Sequence, residues 1–142
     1  MSSFLLEIIT PKKVSFSDQV EMVTAPTSAG IIGVLSHHVP LFTRLVEGEI
    51  KISKANEEIY FAIGGGFMEI TKNKVIILVT DAYHAEEINE QEVLAAKKRA
   101  EEALAAKPEG AALLEAQSLF KRSVIALKVL HRRRSAIKSN PT

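Results

Sequence analysis

From Phe4 to about Ala82 the apolar residues fall in short runs separated by turn residues, a spacing that suits strands and not helices. Glu49-Ile50-Lys51-Ile52-Ser53 alternates strictly, which predicts a strand with one face toward water. Ile59-Tyr60-Phe61-Ala62-Ile63 and Val75-Ile76-Ile77-Leu78-Val79 are continuous apolar runs, rich in β-branched residues and too short for helices. Phe4 to Thr10, Val14 to Ser17, Val20 to Ala25 and Phe67 to Ile70 add further strands, the first stopped by Pro11. Asn56 and Asn73 stand between runs, where their side chains favour tight turns. Many short strands at close spacing predict an antiparallel β-sandwich or flattened barrel.

The period changes after residue 86. From Asn89 to Ala106 there is no glycine or proline, and Asn89 with Glu92 three residues on predicts a helix N-cap. Val93, Ala96, Ala100 and Leu104 form its apolar stripe. Lys107-Pro108-Glu109-Gly110 interrupts it, and a second helix then runs to about Arg134. Leu113, Ala116, Phe120, Val124, Leu127 and Leu130 are the stripe expected on that helix. The break is short, so the two helices form an antiparallel hairpin. The expected organisation is a sandwich over residues 1–86 and a helical hairpin with a basic tail over 87–142. Few large side chains line the stripes, so the hairpin is expected to be weakly anchored and able to undock.

Charge sharpens this division. The 142 residues are nearly neutral overall, but seven of the 18 basic residues and none of the 17 acidic ones follow Glu115. The tail is therefore at +7 and the remainder at −6. Lys121, Arg122, Lys128, Arg132, Arg133, Arg134 and Lys138 supply that charge. A solvated helix end, a nucleic acid and an acidic protein partner all fit such a tail. With no cysteine, disulfides and thiolate metal sites are excluded. No apolar run reaches the roughly 20 residues of a membrane helix, and the start of the chain has no basic leader pattern.

Candidate chemistry is sparse. Gly64-Gly65-Gly66 runs into a strand, not a helix, and lacks the spacing of a phosphate loop, so a bulge or tight bend is expected. His37 and His38 are adjacent, with His84 and His131 distant in sequence, which does not make a metal site. Ser36 beside His37 lacks the converging acid that a catalytic triad needs. No enzyme site emerges.

One family matches these parts in order. Gly30 to Leu41, Gly48, Gly65-Gly66-Phe67-Met68-Glu69, Val75 to Asp81 and the Ala-Lys-Lys-Arg-Ala-Glu stretch at 96–101 resemble the epsilon subunit of F-type ATP synthase, the counterpart of mitochondrial delta. The resemblance implies a sandwich of about ten strands followed by a two-helix hairpin. It implies a non-catalytic rotor subunit that links the gamma subunit to the c-ring, with a mobile arm that inhibits ATP hydrolysis. It places Ile31 and His38 in a loop facing the c-ring. It directs Lys121, Arg122, Lys128, Arg132, Arg133 and Arg134 toward an acidic segment of the beta subunit, with no role for nucleic acid. The implied location is peripheral, on the cytoplasmic face of a bacterial inner membrane or an equivalent energy-transducing membrane.

Three departures qualify it. Ser36-His37-His38 stands where the family usually has Pro-Gly-His, and Ile31 stands where some members have an acid. The ATP-binding motif of the family, Ile/Leu-Asp-x-x-Arg-Ala, is broken here as Ile88-Asn89-Glu90-Gln91-Glu92-Val93. Arg99 and Arg122 remain as phosphate partners for weak ATP binding, and no cofactor is expected. The alternative reading is a stand-alone nucleotide-sensing regulator with the same two parts.

Overall fold

The computed structural model describes residues 2–139, with side chains through Arg132. The chain divides into two compact units, Met1–His84 and Ala85–Thr142. The first unit holds ten strands: β1 (Phe4–Ile9), β2 (Val14–Val20), β3 (Met22–Thr27), β4 (Gly30–Leu35), β5 (Leu41–Leu45), β6 (Gly48–Lys54), β7 (Glu57–Ile63), β8 (Gly66–Ile70), β9 (Lys74–Val79) and β10 (Ala82–His84). They form one hydrogen-bonded sheet in the order β10-β7-β6-β3-β5-β8-β9-β1-β2, with β4 paired to β3. The sheet folds over into two layers, and the seam on its path is narrow: β3 and β5 share the single pair Thr27 and Leu45. All pairings are antiparallel except β1 with β9. Between the layers lie Leu6, Ile8, Val23, Val34, Leu45, Ile50, Ile52, Phe61, Met68 and Ile77, all almost fully buried. These alternate with exposed or half-buried neighbours along β1 and β6, as the period of two requires.

Two strand limits differ from those expected. Val20 ends β2 instead of opening β3, because it lies opposite Phe4 in the ladder with β1. β4 and β5, which interrupted glycine and proline spacing hid from the period, lie between Gly30 and Leu45 on either side of a turn.

Gly64-Gly65-Gly66 makes a corner, as expected, and the ladder shows why it is glycine. Ile63 lies opposite Ala82 and Gly66 opposite Val79, with one unbroken register between them. The Gly64 N–H donates to the Asp81 carbonyl at 3.0 Å, and the Thr80 N–H to the Gly65 carbonyl at 3.1 Å. β7–β8 and β9–β10 are thus one long ribbon bent from layer to layer. At the bend a Cβ on Gly66 would overlap the Leu78 carbonyl oxygen, and one on Gly64 would overlap the Thr80 and Asp81 side chains. Two backbones can approach this closely only without a Cβ.

Across the sandwich edge, the Lys54 ammonium of β6 donates to the Asp18 carboxylate of β2. That hydrogen bond, with a second from the Gln19 N–H at 2.8 Å, holds the Asp18 carboxyl below its usual value of 3.8.

The second unit begins with a 3-10 turn, Ala85–Glu87, followed by α1 (Glu90–Ala105) and α2 (Gly110–Ser139), which pack against each other. Asn89 caps α1 as its sequence predicts, its side-chain oxygen accepting from the Glu92 N–H at 3.2 Å. Ala100, Ala116, Val129 and Leu130 are buried. The expected stripe on α2 needs two corrections, the first being Val129, which lies outside it and is fully buried. Val124 is 41% exposed, and Ser123 is buried in its place, its hydroxyl bonded to the Leu119 carbonyl at 2.8 Å. Counted from Ala116, helical spacing reaches 120, 123, 127 and 130, so the apolar residue at 124 falls on the flank. The intrahelical bond satisfies the buried hydroxyl.

Candidate interaction surfaces

Outward residues of the layer β5-β8-β9-β1-β2 include a row that water would not select. Phe67 of β8 lies opposite Leu78 of β9, Leu78 opposite Ile9 of β1, and Ile9 opposite Val14 of β2. Phe42 of β5 stacks on Phe67, with ring centroids 5.5 Å apart and planes 18° from parallel. Phe42 is 64% exposed, Val14 54%, Leu78 49% and Phe67 48%, so an apolar stripe crosses five strands in the open. Patches of this kind mark binding surfaces more often than scattered apolar residues do.

This stripe was not anticipated, although a signal for it exists. Val75-Ile76-Ile77-Leu78-Val79 is apolar at every position, so both faces of β9 are apolar. In a two-layer antiparallel fold only one of those faces meets the core.

The residues expected to face the c-ring lie at opposite ends of one strand. Ile31, 80% exposed, sits within β4 opposite Pro26, near the β3–β4 tip. His38 lies beyond the other end of β4, its Nδ1 2.7 Å from the Val39 carbonyl oxygen. The two therefore do not share a loop. Before His38 the chain turns with His37 at φ 66°, closed by the His38 N–H on the Leu35 carbonyl at 3.2 Å. A positive φ at the third residue is the signature of a type II turn, whose preferred residues there and just before are glycine and proline. Ser36-His37 thus forms a turn of the kind that Pro-Gly favours, with histidine in the left-handed region.

On the second unit, Lys121, Arg122, Lys128 and Arg132 are exposed along α2. Arg133 and Arg134 lie on the same helix, with side chains outside the described residues. Arg99 is exposed on α1. Arg122 Nε donates to the Ser118 carbonyl at 3.4 Å. The broken nucleotide motif has structural employment: Asn89 caps the helix, and Glu90 Oε1 lies 3.8 Å from His131 Nε2. Lys97 Nζ stands 6.0 Å from the Phe120 ring centroid, a cation–π contact between the helices. Among the described residues no group of three His, Asp or Glu is placed to hold a metal. No helix among them is long and apolar enough to cross a membrane.

Comparison with known proteins accounts for both units. Residues 3–85 match the family described as ATP synthase, Delta/Epsilon chain, beta-sandwich domain. The ATP synthase epsilon chain of Dehalococcoides mccartyi is 37% identical over 135 residues, covering 94% of this chain and 96% of its own length. That of Herpetosiphon aurantiacus is 38% identical over 130 residues, covering 92% and 96%. Among solved structures, a chain of the Euglena gracilis mitochondrial ATP synthase (OSCP/F1/c-ring) superposes with a TM-score of 0.68 at 20% identity. It covers 96% of this chain and 82% of its own, which is likeness of fold. The sandwich with its folded-over sheet, the two helices that follow it in the chain and the near-complete overlap with epsilon chains place this chain in the ATP synthase delta/epsilon family.

Proposed function

We propose that the chain is a non-catalytic subunit of the central stalk of an F-type ATP synthase. Its sandwich joins the gamma subunit to the c-ring, so that rotation driven by ion flow reaches the catalytic head. Its helical arm, residues 87–142, restrains ATP hydrolysis by meeting the beta subunit. The observation that carries the reading is the extent of the likeness: the overlap with the Dehalococcoides epsilon chain includes 94% of this chain and 96% of that one. On this reading the stripe of Phe42, Phe67, Leu78, Ile9 and Val14 meets gamma. The β4 region with Ile31 and His38 faces the c-ring. Lys121, Arg122, Lys128 and Arg132 to Arg134 face the beta subunit. The chain sits peripherally, on the cytoplasmic face of a bacterial inner membrane. Arg99 and Arg122 give weak ATP binding at most, because the surrounding motif carries Glu90 and Glu92.

The test is binding of the purified chain to its cognate gamma subunit, by gel filtration and native mass spectrometry. A one-to-one complex is expected. Phe67→Asp with Leu78→Asp is expected to weaken it at least about 30-fold, the scale of losing a buried apolar contact at an interface. The two aspartates would face each other across β8 and β9, so the melting temperature should fall by several degrees, and binding is compared well below it with the fold checked by circular dichroism. A folded chain that forms no complex, or a double variant that binds as the parent does, would refute this assignment of the stripe.

A further inference from the structure

The open strand edges of the sandwich are guarded against pairing in all places but one. β2, at one end of the sheet, carries Asp18 and bulges at Ser15, where Ile8 and Ile9 lie opposite Phe16 and Val14. β10, at the other end, has three residues, and β5, which meets β3 only at Leu45, carries Arg44. β4 pairs with β3 alone and has none of these guards: Gly30-Ile31-Ile32-Gly33-Val34-Leu35 holds no charge, proline or bulge. No Asp, Glu, Lys or Arg stands between Glu21 and Arg44, although a quarter of the chain is charged. Pro26 shows which way the β4 backbone faces. It has no N–H, and its carbonyl accepts from the Val46 N–H at 3.0 Å, so its pair with Ile31 is a non-hydrogen-bonded one. By alternation along the ladder, Ile32 and Val34 bond to β3, while Ile31, Gly33 and Leu35 turn their N–H and C=O groups to the open side. The Leu35 carbonyl agrees, since it accepts from the His38 N–H beyond the strand.

We infer that β4 is the seam through which two copies of the free chain associate, edge to edge and antiparallel, about a two-fold axis at Gly33. The register that brings all three open residues into use sets Ile31 opposite Leu35 of the second copy, and Gly33 opposite Gly33. Each such pair exchanges N–H···O bonds in the antiparallel manner, and the layer that ends at β4 continues into the second sandwich. The side chains match as well. Ile31, 80% exposed, and Leu35, 59% exposed, cover each other, and no charge is desolvated. A segment of the same sequence is thus a complement residue for residue, whereas a charged segment would lose hydration against an uncharged edge. The contact is isologous and closes at two copies, because each copy has one unguarded edge. The inference concerns the free chain and does not depend on which assembly it serves.

The test is sedimentation equilibrium of the full chain, with amide hydrogen exchange followed by NMR at low and high concentration. A monomer–dimer equilibrium with a dissociation constant of about 100 μM is expected, because one strand pair is smaller than the interface of a stable complex. Ile31→Lys sets a cation at the seam twice and is expected to weaken association at least about tenfold, with the circular dichroism of the parent. Leu114→Lys adds the same charge at another exposed apolar site, outside the seam, and should leave association within about twofold. Exchange should slow with concentration at Ile31, Gly33 and Leu35 and not at Ile32 and Val34, whose N–H groups β3 already holds. A chain that stays monomeric to about 1 mM would overturn the inference. So would equal losses in the two variants, a dimer that Ile31→Lys does not weaken, or one that leaves exchange at Ile31, Gly33 and Leu35 unchanged.

Discussion

Among the described residues, four other than glycine hold positive φ: His37, Ala55, Asn56 and Lys107. Each lies in a turn, and at His37, Ala55 and Lys107 the backbone geometry overrode side-chain preference. Lys54 lies opposite Glu57, so Ala55-Asn56 is a two-residue loop with φ of 48° and 68°, the pattern of a type I′ turn. Asparagine suits its position and alanine does not. Ala55→Asn with Asn56→Gly should raise unfolding free energy by about 1 kcal/mol in urea titrations, with the slope unchanged. Asp18 has a different kind of signature. Its folded carboxyl titrates below 3.8, so its stabilising contribution is present above that value and disappears as pH falls through the folded pKa. The melting temperatures of the parent and of Asp18→Asn should differ by a constant amount above about pH 5 and converge below it. A gap that persists to the lowest pH measured would mean that the ion pair with Lys54 is not its source.

Among the elements, the glycine corner shows what local sequence conveys and what it does not. Three consecutive glycines between apolar runs announce a bend, but they are equivalent in sequence and unequal in the fold. A Cβ on Gly66 would enter the Leu78 carbonyl, whereas one on Gly65 would meet the Leu45 carbonyl at 3.6 Å, an ordinary contact. Gly66→Ala should cost about 3 kcal/mol or more by denaturant unfolding, and Gly65→Ala no more than about 1. Equal costs would assign the corner to backbone flexibility instead of close approach. The helices were legible in another way. Asn89 and the break at 107–110 are short-range signals and lie where the chain does form its cap and its turn. Ser123 was missed because a buried serine is indistinguishable in sequence from an exposed one until its i−4 carbonyl is in place.

For the molecule as a whole, two units of different composition imply two separable tasks. The sandwich carries an apolar stripe, which favours a persistent contact, whereas the arm carries exposed charge, which favours a contact that salt can loosen. Replacing Arg132, Arg133 and Arg134 with glutamate should leave gamma binding within about twofold of the parent. In the assembled enzyme the same change should raise ATP hydrolysis and flatten its dependence on ionic strength. Inhibition that survives the reversal would remove these cations from the contact proposed with the beta subunit.

Most of the strands, both helices and the basic end of the chain follow from the sequence alone, whereas β4, β5 and β10 do not. Period, turn residues and charge are local properties that each segment carries with it. The pairing of β1 with β9, the fold-over at Gly64 to Gly66 and the exposure of Phe42, Phe67, Leu78 and Val14 belong to the tertiary structure. An apolar residue does not state which face of a strand will meet the core. That is decided only when strands distant in the chain take their register and one side of the sheet is left facing water.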